Sequence, residues 1–339
     1  MILEKEITLA NNFRIKNVVF LTVFIFSGIF ASACEQQNES KDVTLALDWF
    51  PNANHIGLYI AEDKGYFEEE GLNVEIRTPS DPSTILQTVA SGTDDFGINY
   101  QPDLLIARDA GIPVVSVLGM VQHPLNSIMA LKSSGYESLS DLKNKKIGYP
   151  GIPWNEDALD TMLKSDGLTG IEDIELVNVG WELGTSLMSG NVDAVIGAYF
   201  THESISLENE GYPVDIFRME NWGVPDYYEL ILVTSEAYLE DNEEIVRSLA
   251  RAITKGYKDA VQDPQSGVDI LKKYSPDIDE SIDRPGADLL QNLWVDAGVD
   301  FGDQTPEKWD NFANWMKYND IISNDLNIDD AYTEEYFYD

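Results

Sequence analysis

One supersecondary unit occurs twice in this 339-residue chain and limits the folds that it can adopt. Residues 86–100 read LQTVASGTDDFGINY, and residues 183–199 read LGTSLMSGNVDAVIGAY. Both stretches contain a helical pattern, a Ser-Gly pair, an aspartate at the start of a strand, a glycine inside it and a tyrosine at its end. The repetition predicts two similar α/β halves, an internal duplication of topology.

The rest of the chain follows the same alternation of short apolar runs and helical patterns. This order predicts parallel or mixed sheets covered by helices. The run from Tyr228 to Leu239 is interpreted as a strand, after which the pattern is nearly all helical. Residues 242–264 have apolar residues at helical spacing, which predicts a long amphipathic helix. The fold class that we expect is α/β, with two lobes, a hinge and a cleft between the lobes.

The expected lobes are discontinuous in sequence. Residues 42–131 and 230–339 form the first lobe, residues 132–229 form the second, and the two crossings act as a hinge. In open α/β sheets ligands bind beyond the carboxyl ends of the strands. Tyr100 and Tyr199 end equivalent strands of the two units and are expected to face each other there.

The amino terminus has the pattern of a secretory signal. Residues 1–33 contain a basic region, an apolar run and small residues at a cleavage site. Cys34 follows Ala31-Ser32-Ala33, which resembles a bacterial lipobox, although leucine is usual where Ala31 stands. We therefore expect Cys34 to be lipidated and residues 34–41 to be a tether, with the protein exported to the outer face of the cytoplasmic membrane. An uncleaved membrane anchor and a free thiol at Cys34 are the alternatives.

Charge and motif content exclude several classes of function. The chain has 60 acidic and only 22 basic residues, a net charge of −38, which argues against nucleic acid and anionic lipid headgroups as partners. Its three histidines lie far apart in sequence, and it has no phosphate-binding loop or nucleophile elbow. We expect no metal site, no cofactor and no catalytic residue.

The junction after the first strand is unusually polar and aromatic. Residues 47–67 read LDWFPNANHIGLYIAEDKGYF, so a strand passes into a helix through a segment that is rich in hydrogen-bonding groups. Trp49 offers a flat face for stacking on an aromatic ring. Asn52 and His55 have groups that bind a ring edge or, alternatively, brace the loop, while Asp48 and Asn54 fit bracing better.

The motifs as a set resemble a known family. DWFPNANHIGLYIAEDKGYFEEEGL, SGTDDFGINY, VDAVIGAYFTHE and GVPDYYELILV are similar to segments of lipid-anchored substrate-binding proteins of ABC importers. The narrower similarity, from about Val43 to Tyr257, is to receptors for thiamine-pyrimidine precursors, whose fungal relatives synthesise that pyrimidine. The resemblance implies hinge closure on N-formyl-4-amino-5-aminomethyl-2-methylpyrimidine or hydroxymethylpyrimidine, then delivery to a permease with its ATPase subunit.

The resemblance also implies that Glu203 pairs with the aminopyrimidine, although a first-turn glutamate also favours the helix dipole. Tyr227 lies where the chain returns to the first lobe and has hinge packing as its alternative. Trp154 is a candidate stacking face from the second lobe. Together the expected ligand contacts are Trp49, Asn52, His55, Tyr100, Trp154, Tyr199, Glu203 and Tyr227. His123 is expected to be structural. The remaining tryptophans are expected in the core or on the surface: Trp181, Trp222, Trp294, Trp309 and Trp315.

Other functions stay open. Riboflavin is a rival ligand, and a sulfonate or nitrate receptor is disfavoured because the motifs placed at the cleft contain no Lys or Arg. A pyrimidine synthase is disfavoured because Asn99 and Asp103 stand where the fungal enzymes carry a cofactor-binding lysine and a pyrimidine-donating histidine. A sensor or scaffold lipoprotein without transport remains possible from the sequence. We expect a monomer.

Overall fold

A computed structural model describes residues 40–333 of the chain. The predicted signal, the tether up to residue 39 and the lipidation site at Cys34 lie outside the described residues. The ten strands are β1 (Lys41–Ala46), β2 (Leu72–Arg77), β3 (Phe96–Asn99), β4 (Val114–Val121), β5 (Asn126–Leu131), β6 (Lys146–Tyr149), β7 (Glu175–Asn178), β8 (Ala194–Tyr199), β9 (Val214–Arg218) and β10 (Leu230–Ser235).

Twelve α-helices connect and cover these strands in the described part of the chain. They are α1 (Ile56–Asp63), α2 (Tyr66–Glu69), α3 (Ile85–Ala90), α4 (Gln101–Asp109), α5 (Trp154–Ser165), α6 (Leu183–Met188), α7 (Glu203–Asn209), α8 (Glu236–Asp241), α9 (Glu243–Gln262), α10 (Pro264–Tyr274), α11 (Glu280–Leu290) and α12 (Pro306–Tyr318). No helix in residues 40–333 is long and apolar enough to cross a membrane.

The strands form two five-stranded mixed sheets, which confirms the predicted fold class. The first sheet has the order β2-β1-β3-β10-β4, and the second has the order β7-β6-β8-β5-β9. In each sheet one strand runs antiparallel to its two neighbours: β10 in the first and β5 in the second. The two repeated sequence units supply β3 and β8, the central strand of each sheet. Their terminal tyrosines therefore lie at equivalent places.

The predicted lobe boundary differs from the sheets at one strand. We expected residues 42–131 in the first lobe, but β5 pairs with β8 and β9 and belongs to the second sheet. The crossing therefore lies between Val121 and Asn126. Both β4 and β5 are almost entirely buried, and an apolar run carries no signal of the sheet to which it belongs. We use "first lobe" and "second lobe" for each sheet with its covering helices.

Two smaller expectations were also wrong. Lys41 is the first residue of β1 and not the last residue of a tether. The strand predicted to run through Leu239 ends at Ser235, where the serine side chain accepts a hydrogen bond from the Tyr238 amide and α8 begins. A serine at this point is a strong helix start, and that local preference ends the apolar run.

Helix α9 packs against the loop that follows β1, which we call the junction loop. Its predicted apolar stripe is confirmed, with Leu249, Ile253 and Tyr257 fully buried. A methyl group on Gly256 would overlap the carbonyl oxygen of Gly57, so α1 and α9 cross in close contact. The Tyr257 hydroxyl donates to the Asn54 carbonyl at 2.6 Å. The packing of α9 therefore fixes the loop that follows β1.

Candidate ligand-binding site at the junction of the two lobes

The loop after β1 is braced by its own side chains. The Asn52 side chain accepts the Asn54 amide at 2.9 Å and caps a short 3₁₀ turn, Ala53–His55. His55 Nδ1 accepts the Asn52 amide at 3.2 Å, and its Nε2 donates to Asp48 Oδ1 at 2.7 Å. Both ring nitrogens of this fully buried histidine are therefore committed to the loop. Asn52 and His55 therefore brace the loop.

Asp48 connects this loop to the end of β3. Its second oxygen, Oδ2, accepts the Tyr100 hydroxyl at 2.9 Å, and the aspartate is only 3% exposed. Burial raises the pKa of Tyr100 well above its ordinary value, and the Asp48 charge raises it further. The phenol therefore stays protonated and acts as a donor. The pair presents a half-buried aromatic face whose position is fixed by a carboxylate.

Glu229 makes the corresponding arrangement from the second crossing of the chain. Its Oε1 accepts the Tyr199 hydroxyl at 2.8 Å, and its Oε2 accepts the Tyr227 hydroxyl at 3.0 Å. Oε2 also accepts the backbone amides of Leu125 at 2.7 Å and Asn126 at 3.2 Å. Burial raises the pKa of Glu229, while these four donors lower it. Glu229 thus joins both crossings to two tyrosines.

Two indoles from different lobes meet at this junction. Trp49 follows β1, Trp181 precedes α6, and their ring centroids lie 5.3 Å apart at an angle of 49°. Phe50 packs edge-on against Trp49 at 5.7 Å. Trp181 is 64% exposed and Trp49 is 36% exposed, so the pair lies at the rim of the site. Trp181 is the second-lobe indole opposite Trp49.

Trp154, which we expected to stack from the second lobe, lies deeper. It is 5% exposed and packs edge-on against Tyr227, with ring centroids 5.9 Å apart. Its indole lies close enough to Asp103 to lower the pKa of that carboxyl group. Tyr227 itself is fully buried and packs against Phe312 at 4.7 Å. The structure places both rings beneath the rim in the packing at the second crossing.

Glu203 begins α7 immediately beyond β8. Its Oε2 accepts the Tyr199 amide at 2.7 Å, and its Oε1 lies 3.1 Å from His202 Nδ1. The side chain keeps 31% of its surface exposed. It therefore closes the turn between strand and helix and remains partly exposed to solvent.

Asn99 and Asp103 flank Tyr100 at the end of β3 and the start of α4. Asn99 is buried, and its Oδ1 has no hydrogen-bond partner within residues 40–333. Burial raises the pKa of Asp103 to about 6, against the lowering effect of the Trp154 indole. The carboxyl groups of Asp48, Asp103, Glu203 and Glu229 surround the tyrosines. No group of three or more metal-ligating side chains within the described residues is arranged to hold a metal ion.

The two lobes also touch beside the site. The Asn209 amide group donates to the Ser281 carbonyl at 3.1 Å, which ties α7 to α11. A methyl group on Gly286 would lie 2.7 Å from the Thr201 carbonyl oxygen, so the same two regions pack backbone to backbone. Asp283 Oδ1 accepts the Ala53 amide at 2.7 Å and anchors the junction loop to α11. The second lobe therefore contacts α11 of the first lobe beside the site.

Sequence reasoning undervalued two residues of this site. Glu229 is not among the expected ligand contacts, because a glutamate before a buried strand has no signature of its own. The signal was the preceding Tyr227-Tyr228 pair, which places hydroxyl donors next to a carboxylate. Trp181 was expected in the core or on the surface, and its proximity to Trp49 depends on the orientation of the two lobes.

Comparison with protein families and with other proteins gives a consistent result. The profile of the family described as "NMT1/THI5 like" matches residues 52–267. The formylaminopyrimidine-binding protein of Halalkalibacterium halodurans is 36% identical over 314 residues, which cover 90% of this chain and 95% of that protein. A 4-amino-5-hydroxymethyl-2-methylpyrimidine phosphate synthase of Saccharomyces cerevisiae is 30% identical over 233 residues, 66% of this chain and 68% of that one.

Solved structures share the fold. The periplasmic aliphatic sulphonate-binding protein of Escherichia coli superposes with a TM-score of 0.66 at 14% identity, covering 85% of this chain and 96% of that one. At this identity the likeness shows the fold alone. The chain therefore has the periplasmic-binding-protein fold, with the candidate site where its two lobes meet.

Proposed function

The chain belongs to the NMT1/THI5-like family, and we propose that within it the protein is the extracytoplasmic substrate-binding component of an ABC importer. Its ligand is a thiamine pyrimidine precursor, N-formyl-4-amino-5-aminomethyl-2-methylpyrimidine or the related hydroxymethylpyrimidine. The similarity to a formylaminopyrimidine-binding protein over nearly its whole length supports this ligand class.

The single observation that carries the proposal is the combination of aromatic faces and acceptors at the junction. Trp49 and Trp181 approach from different lobes, and four carboxyl groups lie around the tyrosines behind them. An aminopyrimidine is flat and carries an exocyclic amino donor, so it stacks on indole and donates to carboxylate. Glu203, which remains partly exposed, is the residue that we assign to the amino group.

Ligand entry requires the two indoles to separate. Their centroids are 5.3 Å apart, whereas a ring held between them needs two contacts of about 3.5 Å each, roughly 7 Å in all. Opening about the crossings provides that movement, and closure then traps the ring. Tyr100 and Tyr199 stay half-buried in the structure and are proposed as inner walls of the site.

The acidic surroundings favour this ligand over anions. Asp48, Asp103, Glu203 and Glu229 would repel a sulfonate or nitrate, and the hydrogen bonds that we describe at the site involve no Lys or Arg. Riboflavin remains the alternative, since it is also a flat heteroaromatic ligand. It is wider and would need a larger separation of the indoles.

We propose a binding protein and not a synthase. Asn99 offers no amine for a Schiff base with a carbonyl cofactor, and Asp103 is no source of ring atoms. The partners that we propose are a membrane permease and its ATPase subunit, with export and a lipid anchor at Cys34 and with the receptor acting as a monomer.

Isothermal titration calorimetry with a small panel tests the function. We expect formylaminopyrimidine or hydroxymethylpyrimidine to bind, and thiamine, riboflavin, taurine and nitrate to bind weakly or not at all. Glu203→Gln should weaken binding by about tenfold, because it removes a charged acceptor. Glu208→Gln, an exposed residue on the same helix, should leave the affinity unchanged. Binding of riboflavin alone would overturn the ligand, and binding of none of the panel would overturn the receptor proposal.

A further inference from the structure

One buried side chain, that of Glu229, connects the two crossings between the lobes. The first crossing contains Leu125 and precedes β5, and the second contains Tyr227 and Glu229 and precedes β10. Besides the side-chain bonds of its carboxylate, Glu229 donates its own amide to the Val121 carbonyl at 3.0 Å. A rotation of one lobe relative to the other therefore changes the geometry of these hydrogen bonds.

The same carboxylate also reaches the ligand site. Its two oxygens have separate partners: Oε1 accepts the Tyr199 hydroxyl, while Oε2 accepts the Leu125 and Asn126 amides. Tyr199 ends the central strand of the second sheet and is only half-buried. The second phenol, that of Tyr227, donates to Oε2 and is fully buried. Among the Glu229 partners, Tyr199 is therefore the one with an accessible ring.

From this geometry we infer that Glu229 is a positioning residue that couples occupancy of the site at Tyr199 to the hinge. The inference rests on the proposed function, because it assumes a ligand against the Tyr199 ring. A ligand packed there holds the phenol in place, the phenol holds Oε1, and the rigid carboxylate holds Oε2 on the amides of the first crossing. A continuous series of hydrogen bonds then connects the ligand site to the hinge, so that ligand binding favours hinge closure.

The hydrogen bonds from the two phenols to Glu229 are strong ones. Burial raises the pKa of both Tyr199 and Tyr227 well above the ordinary value, and the Glu229 charge raises them further. Both phenols therefore remain donors. Hydrogen bonds to a charged acceptor in a buried place are stronger than neutral ones.

The rates of amide hydrogen exchange at Leu125 and Asn126 measure this coupling directly, because both N–H groups donate to Glu229. In the full chain, saturating formylaminopyrimidine should slow exchange at these two amides by about tenfold or more. The Thr44 amide, which donates to Asp95 at 2.8 Å within the first lobe, should not respond. In Tyr199→Phe saturated with the same ligand, the slowing at Leu125 and Asn126 should be lost. Tyr66→Phe removes a phenol that binds Asp259 far from the hinge and should keep the full response.

The outcomes separate the two proposals. If calorimetry shows that the wild type binds formylaminopyrimidine or riboflavin but the two amides do not slow, the coupling is refuted and the receptor function stands. If Tyr199→Phe protects them as well as the wild type does, Tyr199 is not the link and the inference fails. If formylaminopyrimidine, hydroxymethylpyrimidine and riboflavin all fail to bind, both proposals fail.

Discussion

The loop after β1 and the pair of crossings both organise polar groups around a buried carboxylate, but they do so over different spans of sequence. In the loop, Asp48 is bound by His55, which is in turn fixed by Asn52, all within eight residues. At the crossings, Glu229 gathers donors that lie 104, 103 and 30 residues away as well as its near neighbour Tyr227. The first arrangement makes a rigid wall, whereas the second makes a joint that connects two lobes.

Among the changes considered, removal of the Glu229 carboxylate should lower the free energy of unfolding most. Glu229→Leu leaves two backbone amides and two phenols without their acceptor, so we expect a loss of about 3–5 kcal/mol in the free energy of unfolding. Urea denaturation measures it, with exposed Glu208→Leu as the control that should change by no more than about 0.5 kcal/mol. A loss below about 1 kcal/mol would show that Glu229 does not hold the crossings together.

Breaking the loop should cost less. His55→Ala removes both ring hydrogen bonds and a fully buried ring, and we expect a loss of about 2–3 kcal/mol by the same measurement. Asn73→Ala, which removes an exposed bond to Asp42, is the matched control. If His55→Ala were as mild as that control, the loop would owe its shape to the packing of α1 and not to its own side chains.

Asp103 should make stability depend on pH. Because its pKa is raised to about 6, the folded protein takes up a proton below pH 6 that the unfolded chain binds only near its ordinary pKa. The ionised group therefore costs stability above pH 6, and the cost disappears as pH falls. Asp103→Asn should stabilise the protein by about 2 kcal/mol at pH 8 and by little at pH 4. Equal effects at both pH values, measured by urea denaturation, would contradict a raised pKa at Asp103.

The smallest change in stability is expected at a second interaction between the crossings, that of His123 with Asp226. His123 Nδ1 lies 2.9 Å from Asp226, its Nε2 lies 2.8 Å from Asp296, and Lys308 lies 2.9 Å from Asp226. The hydrogen bond with Asp226 is the main cause that raises the pKa of His123. Its stabilisation is therefore complete below the unfolded pKa and is lost as pH rises through the folded one.

His123→Gln should accordingly lose about 1 kcal/mol at pH 6 and less at pH 9. Thermal melts of both proteins at the two pH values measure the difference. A loss that grows with pH would mean that the neutral ring, and not the ion pair, is the stabilising form.

The contrast between loop and joint also explains what the sequence predicted. The bracing of the loop after β1 was readable as an alternative because such bonds depend on residues within one turn. The long helix α9 was readable because its apolar stripe repeats over many turns. The doubly occurring unit predicted two similar halves, and the structure shows that it supplies the central strand of each sheet.

What the sequence could not show depends on distant parts of the chain. The assignment of β5 to the second sheet follows from its pairing with β8 and β9, which no local pattern encodes. The position of Trp181 opposite Trp49 depends on the angle between the lobes. Glu229 became recognisable only when the fold brought Leu125, Tyr199 and Tyr227 around it.

A crystal structure of the protein with formylaminopyrimidine tests the central claim most directly. We predict the pyrimidine ring between Trp49 and Trp181, the indoles moved apart from their present 5.3 Å, and the exocyclic amino group within hydrogen-bond distance of Glu203. A ligand bound away from the junction of the lobes, or an amino group that meets no carboxylate there, would contradict the account.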